Sequence, residues 1–300
     1  GVVGLGTMGA TIATRLERAG ALAAVYDVDG PRAEAFGARA ARTAEELAHR
    51  AELLLLCLPA PGAVQAALER VTAGLPRGRV VVDLSTNPPG VSEAAAARCA
   101  AAGAGYLEAP MTGGVRAARS GTLRLVIGGE AATLAGVETS LRTFASALIH
   151  VGPVGTASRM KLVHNMVTLG TATVAMEALL LAQALGVDAA RMFEVLETGT
   201  ASSYVVAHTL KRTLLRGDLV EGFKLRLAAK DLGLIQGLVD AAGLTPLVFP
   251  RDRGLFEDAM QEPALRDVDY PIVCRVLARL MGVPAGGGLV PGLPSPAPAG

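Results

Sequence analysis

A lysine and an asparagine in the middle of the chain have the chemistry and the spacing of a reacting pair. Lys161 and Asn165 lie four positions apart in the segment GTASRMKLVHN at 155–165, so on a helix they would project from one face. A lysine amine among apolar residues can exchange a proton with a hydroxyl group if burial lowers its pKa towards neutrality. We therefore predict that Lys161 is a general acid/base, with an ordinary solvated lysine as the alternative. Asn165 would orient a substrate oxygen, and His164 either shares this role or packs beside it.

A glycine-rich turn at the start of the chain predicts a dinucleotide site. Segment 4–9 reads GLGTMG, follows an apolar strand pattern and opens a periodic helix. In such a turn the first glycine reverses the chain, the second lets the backbone approach a pyrophosphate, and the third lets the helix pack on the strand. Backbone N–H groups at the helix N-terminus then face the phosphates. The predicted cofactor contacts are Gly4, Gly6, Thr7, Met8 and Gly9.

An aspartate at the end of the second predicted strand indicates which dinucleotide is bound. The Asp27 carboxylate would accept a hydrogen bond from the ribose 2′-hydroxyl and would repel a 2′-phosphate, which favours NAD over NADP. Arg32 follows five residues later and would favour NADP if its side chain turned inward to pair with a 2′-phosphate. An exposed arginine at a helix start is the other interpretation of Arg32.

Two further turns are expected at the same edge of the sheet. Segments 58–61 and 83–86 each follow a strand pattern, and ligands of such folds lie outside the carboxyl ends of the strands. We therefore predict that Leu58, Pro59 and Thr86 neighbour the cofactor, although each turn taken alone could be a plain connection.

A second glycine pair has the features of an anion-binding loop. Thr112, Gly113 and Gly114 combine a hydroxyl donor with backbone N–H groups that no side chain covers, which suits a substrate carboxylate. Arg116 and Arg119 follow and either add positive potential or are ordinary loop residues. A glycine turn before the next strand is the alternative for the whole segment.

A lysine late in the chain is the last candidate. Lys230 precedes Asp231 in a helical pattern and would contact the nicotinamide end of the cofactor or the substrate anion. A surface lysine that pairs with Asp231 is the alternative.

Composition and charge restrict the class of partner. The chain has 300 residues, 51% hydrophobic content and a net charge of +1 from 28 basic and 27 acidic residues. This balance provides no polybasic surface for nucleic acid or for an anionic membrane, so a small-molecule partner is expected. The four histidines are scattered and no histidine or cysteine spacing resembles a zinc site, so no metal is expected.

The cysteines and the most apolar segment indicate a cytoplasmic protein. Cys57, Cys99 and Cys274 are odd in number and widely spaced in apolar stretches, which favours reduced thiols over a disulfide framework. The segment 162–187 is apolar enough to resemble a membrane span, but its histidine, asparagine, glutamate and glutamine would be costly in hydrocarbon. We interpret it as a buried helix of a soluble protein.

The order of apolar runs predicts an α/β fold with two domains and a tail. Up to about residue 150, short apolar runs alternate with amphipathic segments, which is typical of a doubly wound parallel sheet of Rossmann type. After residue 155 only helical periodicity remains, beginning with a long helix over 157–185. We predict a dinucleotide-binding domain at 1–153, an all-α domain for substrate binding and dimerisation at 154–283, and a disordered Pro/Gly-rich tail at 284–300. The predicted strands are 1–4, 22–26, 53–58, 79–84, 105–108, 123–127 and 147–151.

Four ordered motifs resemble those of the β-hydroxyacid dehydrogenases, most closely the 3-hydroxyisobutyrate dehydrogenase branch, over residues 1–283. The motifs are GLGTMG at 4–9, EAPMTGGVRAARSGTL at 108–123, GTASRMKLVHN at 155–165 and KDL at 230–232. The resemblance implies a Rossmann domain, a helical domain, a homodimer or homotetramer, and Lys161 as the catalytic residue. It also implies that Thr112, Gly113, Gly114 and Asn165 hold the substrate and that Thr86 and Lys230 touch the cofactor.

Some residues depart from the family pattern. Glu108, Met111 and Thr112 stand where the family usually has Asp, Val and Ser, so the anion pocket is expected to be tighter or reshaped. His164 replaces the first of two usual asparagines, a feature that resembles 6-phosphogluconate dehydrogenase, although that enzyme is considerably longer.

The leading hypothesis is the reversible oxidation of a short 3-hydroxy acid by NAD, with NADP as the alternative cofactor. A semialdehyde or imine reductase of the same fold is the second hypothesis, although imine reductases of this family usually replace the lysine. A dinucleotide-binding scaffold without turnover is the third, and the intact Lys161–Asn165 pair disfavours it.

Overall fold

Eight strands form one sheet in the first part of the chain. In the computed structural model, which describes residues 1–284 and 289, the sheet order is β2-β1-β3-β4-β5-β7-β6, with β8 paired to β7. The first five strands in this order are parallel. Strand β7 runs antiparallel to both of its neighbours β5 and β6, whereas β8 runs parallel to β7. The strands are β1 Val2–Val3, β2 Val25–Tyr26, β3 Leu53–Leu56, β4 Val80–Asp83, β5 Gly105–Glu108, β6 Met111–Thr112, β7 Leu123–Gly129 and β8 Ala145–Gly152.

Helices connect the strands, and alternate strand residues pack into two separate cores. Val2, Leu55 and Val82 belong to one core cluster, and their chain neighbours Val3 and Leu54 belong to the other. Because successive side chains of a strand point to opposite faces, the sheet is covered on both sides. The helices are α1 Thr7–Arg18, α2 Gly30–Glu34, α3 Ala44–Arg50, α4 Pro61–Ala73, α5 Pro89–Ala101, α6 Gly114–Ser120 and α7 Ala131–Leu141.

The later part of the chain is helical over its described residues. The α-helices are α8 Thr156–Ala184, α9 Ala189–Thr198, α10 Leu225–Ala241, α11 Phe249–Met260 and α12 Val273–Leu280, with a π-helix at Val205–Leu215 and short 3₁₀ turns at Pro263–Leu265 and Tyr270–Ile272. A Rossmann-type domain followed by a helical domain confirms the predicted fold class.

The structure differs from the sequence prediction in local detail. The sequence does not predict strand β6 or helix α6. The strand has two residues and the helix only seven, and the glycines between them favour a turn. In the part of the chain where only helical periodicity is predicted, the segment Val205–Leu215 is a π-helix, which this periodicity does not distinguish from an α-helix.

The chain divides into two compact units, Gly1–Val163 and His164–Gly300. The predicted domain boundary after residue 153 stays a prediction. All of the predicted tail except Pro284 and Leu289 lies outside the described residues.

Helix α8 is long and apolar enough, by length and composition alone, to cross a membrane. Only 44% of its most apolar window is buried, so this helix has both a packed side and an exposed side. A core helix of a soluble protein meets the same criterion of length and hydropathy. The interpretation of this segment as a buried helix of a soluble protein stays a prediction.

The three cysteines are free thiols. Burial raises the pKa of Cys57, Cys99 and Cys274 to about 12, so each thiol is protonated at neutral pH. Protonated thiols are poor nucleophiles, and the cysteines are therefore packing residues.

A buried carboxylate on α11 makes stability depend on pH. Asp252 is 5% exposed and accepts a hydrogen bond from the Thr173 hydroxyl on α8. Burial raises the pKa of Asp252, and the Thr173 hydrogen bond offsets only part of this effect. The protonated Asp252 therefore stabilises the folded chain fully when the pH is below the pKa that Asp252 has in the unfolded chain. This contribution is lost as the pH rises through the pKa that Asp252 has in the folded chain.

We expect Asp252→Asn to unfold at a higher temperature than the parent protein at pH 7. The difference should vanish as the pH is lowered below about 4, where aspartate is protonated in both states. Thermal unfolding of both proteins between pH 3 and pH 8 measures this difference in unfolding temperature. A variant that is less stable at pH 7 would contradict this assignment.

Candidate active site

The glycine turn between β1 and α1 has a different geometry at each glycine. Gly4 has φ +90°, and a Cβ built there would lie 2.5 Å from the Cys57 carbonyl oxygen. A Cβ on Gly9 would lie 1.9 Å from the Gly4 oxygen, whereas a Cβ on Gly6 would meet nothing within 4 Å. The first and third positions thus require glycine for backbone shape and close packing. The middle position faces open space from which a pyrophosphate can approach the backbone, so this turn fits a dinucleotide.

Asp27 lies against this turn. One of its carboxylate oxygens accepts a hydrogen bond from the Leu5 N–H at 2.5 Å, and the other accepts one from the Asp29 N–H at 2.8 Å. Two carboxylate oxygens offer about four acceptor positions, so acceptor capacity remains for ribose hydroxyls. Arg32 pairs with Asp29 at 2.9 Å.

The other predicted cofactor neighbours follow the ends of adjacent strands. Val3 pairs with Leu56 in the sheet register, and Leu56 pairs with Asp83, so β1, β3 and β4 end at one edge. Leu58 and Pro59 follow β3, and Thr86 follows β4. The Leu58 N–H donates to the Ser85 hydroxyl at 3.0 Å, which links the two turns. The structure thus brings together, at one sheet edge, Gly4, Gly6, Thr7, Met8, Gly9, Asp27, Leu58, Pro59 and Thr86.

The predicted anion loop joins strand β6 to helix α6. Thr112 is the last residue of β6, and Gly113 and Gly114 have φ values of +114° and +64°. A Cβ on Gly113 would lie 2.6 Å from the Ala117 Cβ, so glycine is required there. Arg116 and Arg119 lie on α6, so the alternative that they are ordinary loop residues is wrong.

Helix α6 lies beside helix α1. Arg15 on α1 donates to the Arg119 carbonyl oxygen at 2.8 Å, and Met8 and Met111 pack against the same core cluster. These contacts place α6 and α1 against one another in the first unit.

Lys161 lies near the start of α8 and is 9% exposed. Asn165 follows on the same helix, four positions later, and is 4% exposed. The burial that we expected of the lysine from its apolar neighbours is therefore present.

In the second unit Asn165 belongs to a cluster of polar side chains. Its amide nitrogen donates to Asp231 Oδ2 at 2.6 Å, and its amide oxygen lies 3.1 Å from His164 Nδ1. Lys230 Nζ lies 2.8 Å from Asp231 Oδ1 as an ion pair, although this contact lacks the angles of a hydrogen bond. Asp231 is 2% exposed, so this pair is not the surface pair considered from the sequence.

Sequence reasoning overlooked two carboxylates. The sequence predicts no role for Asp231 beyond pairing with Lys230, and none for Glu108 beyond its departure from a family pattern. Glu108 is 1% exposed and accepts hydrogen bonds from the start of α8. An acidic residue at the end of an apolar strand was the available signal. Over the described chain there is no cluster of three or more histidine, cysteine or acidic side chains arranged to hold a metal ion.

Comparisons with known proteins agree with this geometry. Residues 1–152 match the family model of the NAD-binding domain of 6-phosphogluconate dehydrogenase. Residues 155–277 match the family model described as NAD-binding of NADP-dependent 3-hydroxyisobutyrate dehydrogenase.

Relatives match over most of their length. The chain is 26% identical to 2-(hydroxymethyl)glutarate dehydrogenase of Eubacterium barkeri, over 96% of this chain and 97% of the relative. It is 31% identical to the NAD-dependent L-serine dehydrogenase of Pseudomonas aeruginosa, over 82% and 87%. The solved structure of Mycobacterium tuberculosis 3-hydroxyisobutyrate dehydrogenase with L-serine superposes with a TM-score of 0.82 at 27% identity, over 92% and 97%.

The family models cover both parts of the chain, and the relatives share an activity on hydroxy acids. The chain is therefore an NAD(P)-dependent oxidoreductase that acts on the CH–OH group of a hydroxy acid, and it belongs to the β-hydroxyacid dehydrogenase family.

Proposed function

We propose that this enzyme reversibly oxidises a short 3-hydroxy acid, similar to 3-hydroxyisobutyrate, to its semialdehyde, with Lys161 as general acid/base. The observation that carries the proposal is the buried Lys161 on α8, four positions before an Asn165 whose amide is held by Asp231. A buried lysine alone would not indicate a catalytic role. Here the lysine shares a helix face with an oriented amide, in a chain that binds a hydride acceptor, and this combination supports a role in proton transfer.

The substrate class follows from chemistry that the relatives share. By their names, 2-(hydroxymethyl)glutarate, L-serine and 3-hydroxyisobutyrate each carry a CH₂OH group on the carbon next to a carboxylate. We propose that the substrate of this chain has the same arrangement. The remaining substituent on that carbon is left to the substrate panel described below.

In the oxidation, Lys161 enters as a neutral amine and accepts the proton of the primary hydroxyl group. Bound NAD supplies the acceptor for the hydride that leaves the carbinol carbon. In the reverse direction the ammonium returns the proton to the carbonyl oxygen. Positioned proton transfer of this kind contributes about 10²- to 10⁴-fold to turnover.

Asn165 is oriented by its neighbours. Because one amide N–H donates to Asp231 and the amide oxygen faces His164, the second N–H is the group that would bind a substrate oxygen. His164 then acts through Asn165. Lys230 is proposed to contact the cofactor, and the Asp231 carboxylate holds both side chains in place.

The loop at Thr112, Gly113 and Gly114 is proposed to bind the substrate carboxylate through its hydroxyl and its backbone N–H groups. The extra methyl group of Thr112, relative to the usual serine, reduces the space beside the carboxylate. We therefore favour substrates with a small substituent.

The turnover test uses purified protein, NAD or NADP, and a panel of short 3-hydroxy acids and their semialdehydes. Lys161→Ala should lower kcat by about 10²- to 10⁴-fold and leave cofactor binding intact. Lys211→Ala, which removes a lysine paired with Glu197 on α9, is the matched control. Undiminished turnover in Lys161→Ala would overturn the assigned role.

The panel also separates the alternative functions. A reductase would reduce the semialdehydes or added imines but oxidise no hydroxy acid. A scaffold would bind NAD tightly and turn over no member of the panel.

Asp27 is proposed to select NAD over NADP. We expect Asp27→Ser to lower the ratio of kcat/KM for NAD to that for NADP by about tenfold or more, because a carboxylate no longer repels the 2′-phosphate. Arg32→Ala is the matched control and should leave the ratio unchanged, since Arg32 pairs with Asp29. A parent enzyme that prefers NADP, or a control that loses NADP activity, would contradict this assignment.

The exposed side of α8 supports a homodimer or homotetramer. Val167, Val174 and Leu181 on α8, and Leu185 directly after its end, are each more than half exposed and follow one another at intervals of seven, seven and four residues. This spacing places them on one helix face, and an exposed apolar stripe of this kind is typical of an interface. We propose that a second copy of the chain covers it. The cytoplasmic location expected from the cysteines stays a prediction.

We expect the double variant Val174→Asp/Leu181→Asp to shift the mass in solution to that of a monomer, because two buried charges would be unpaired in the interface. Light scattering after size-exclusion chromatography measures this. Arg191→Asp on α9, where the side chain is exposed, is the control and should keep the parent mass. A parent protein that is monomeric, or a double variant that keeps the oligomeric mass, would refute the proposed interface.

A further inference from the structure

A buried carboxylate connects the sheet to the helix that carries Lys161. Glu108 is the last residue of β5 and is 1% exposed. Burying a carboxyl group away from water is unfavourable unless hydrogen bonds or charge compensate it. A glutamate at this position therefore requires strong local partners.

Its partners all belong to the start of α8. One carboxylate oxygen accepts hydrogen bonds from the Gly155 N–H at 2.6 Å and from the Ala157 N–H at 2.8 Å. The other accepts the Ser158 hydroxyl, which also lies 2.9 Å from the Ser92 hydroxyl on α5. The first N–H groups of a helix have no partners within the helix and carry partial positive charge, so a carboxylate there satisfies both the hydrogen bonds and the charge.

A glycine on the neighbouring strand makes room for this side chain. Gly128 on β7 pairs with Glu108 in the sheet register. A Cβ built on Gly128 would lie 2.4 Å from the Glu108 carboxylate oxygen that binds the two N–H groups. The carboxylate can therefore occupy its position only because residue 128 has no side chain.

The anchored turn lies directly before Lys161. Ser158, Lys161 and Asn165 are spaced at i, i+3 and i+7, so they share one face of α8. A long side chain on a helix points back over the residues three and four positions earlier, which for Lys161 are Ser158 and Ala157. Two of the three residues that Glu108 binds, Ala157 and Ser158, are thus the residues four and three positions before Lys161.

We propose that Glu108 is a positioning residue for the reaction: its carboxylate fixes the first turn of α8 and thereby places the Lys161 amine. This inference rests on the proposed role of Lys161. Glu108 itself touches neither substrate nor cofactor in this account, and its effect on turnover passes through the lysine.

The experiment perturbs the anchor in two independent ways. Glu108→Ala removes the carboxylate, and Gly128→Ala leaves it intact but displaces it with a methyl group. Glu93→Gln is the matched control, because Glu93 also reaches the start of α8 through an ion pair with Arg159 at 3.2 Å but is half exposed. For each variant we would measure the unfolding temperature, the Kd for NAD and the kcat with the best member of the substrate panel.

We expect Glu108→Ala and Gly128→Ala to lower kcat by about 10- to 100-fold, the loss typical of a reacting group misplaced by about 1 Å. The Kd for NAD should be unchanged, and Glu93→Gln should keep the kcat of the parent. Folded Glu108 and Gly128 variants with the parent kcat would overturn the proposal, and so would a loss of NAD binding in parallel with kcat.

A double-mutant cycle separates positioning from a general structural role. In a Lys161→Ala background, Glu108→Ala should cause no further loss of the residual turnover, because a group that acts only through the lysine has nothing left to position. An equal further loss would show that Glu108 acts elsewhere. If Lys161→Ala alone keeps full turnover, this result contradicts the proposed role of Lys161, and it is thus distinguished from a result that contradicts the role of Glu108.

A smaller variant covers the case in which Glu108→Ala does not fold. Ser158→Ala removes one of the three hydrogen bonds and keeps the carboxylate, and it should lower kcat in the same direction by a smaller factor. A folded Ser158→Ala variant with unchanged kcat, together with a Gly128→Ala variant that also keeps the parent kcat, would overturn the proposal.

Discussion

The chemistry that we propose for this chain depends on where helix α8 begins. A helix of 29 residues has its first N–H groups without intrahelical partners, and here they are met by the carboxylate of Glu108 at the end of strand β5. The sheet thereby fixes the starting point of the helix. We infer that Lys161, which follows on the same helix, takes its place from that point.

The sheet edge provides the second constraint. Parallel strands end together, so the turns after β1, β3 and β4 meet although they are far apart in sequence. Glycine is required at Gly4 and Gly9 by close backbone approach, whereas Gly6 faces open space. The same strands that form the core therefore leave one edge with exposed backbone donors, and this is the edge that fits a dinucleotide.

The fold and the outline of the site could be predicted from the sequence because their signals are local. The apolar run at 53–58 predicted β3, and the spacing of Lys161 and Asn165 predicted a shared helix face. Strand β6 is too short for its residues to show the alternation of a strand. The spacing of apolar residues over 205–215 is also compatible with an α-helix, so it does not predict a π-helix. The partners of Glu108 and of Asn165 are 47 and 66 residues away in sequence, and no local pattern encodes such pairs.

The central claim is that an amine at position 161 exchanges the proton of the substrate hydroxyl. Chemical rescue tests it most directly: the turnover of Lys161→Ala is measured while small primary amines such as methylamine are added. We expect these amines to restore part of kcat. The restored kcat should increase with the basicity of the amine, because the proton is transferred in the transition state. A variant that binds NAD but gains no turnover from any added amine would contradict it.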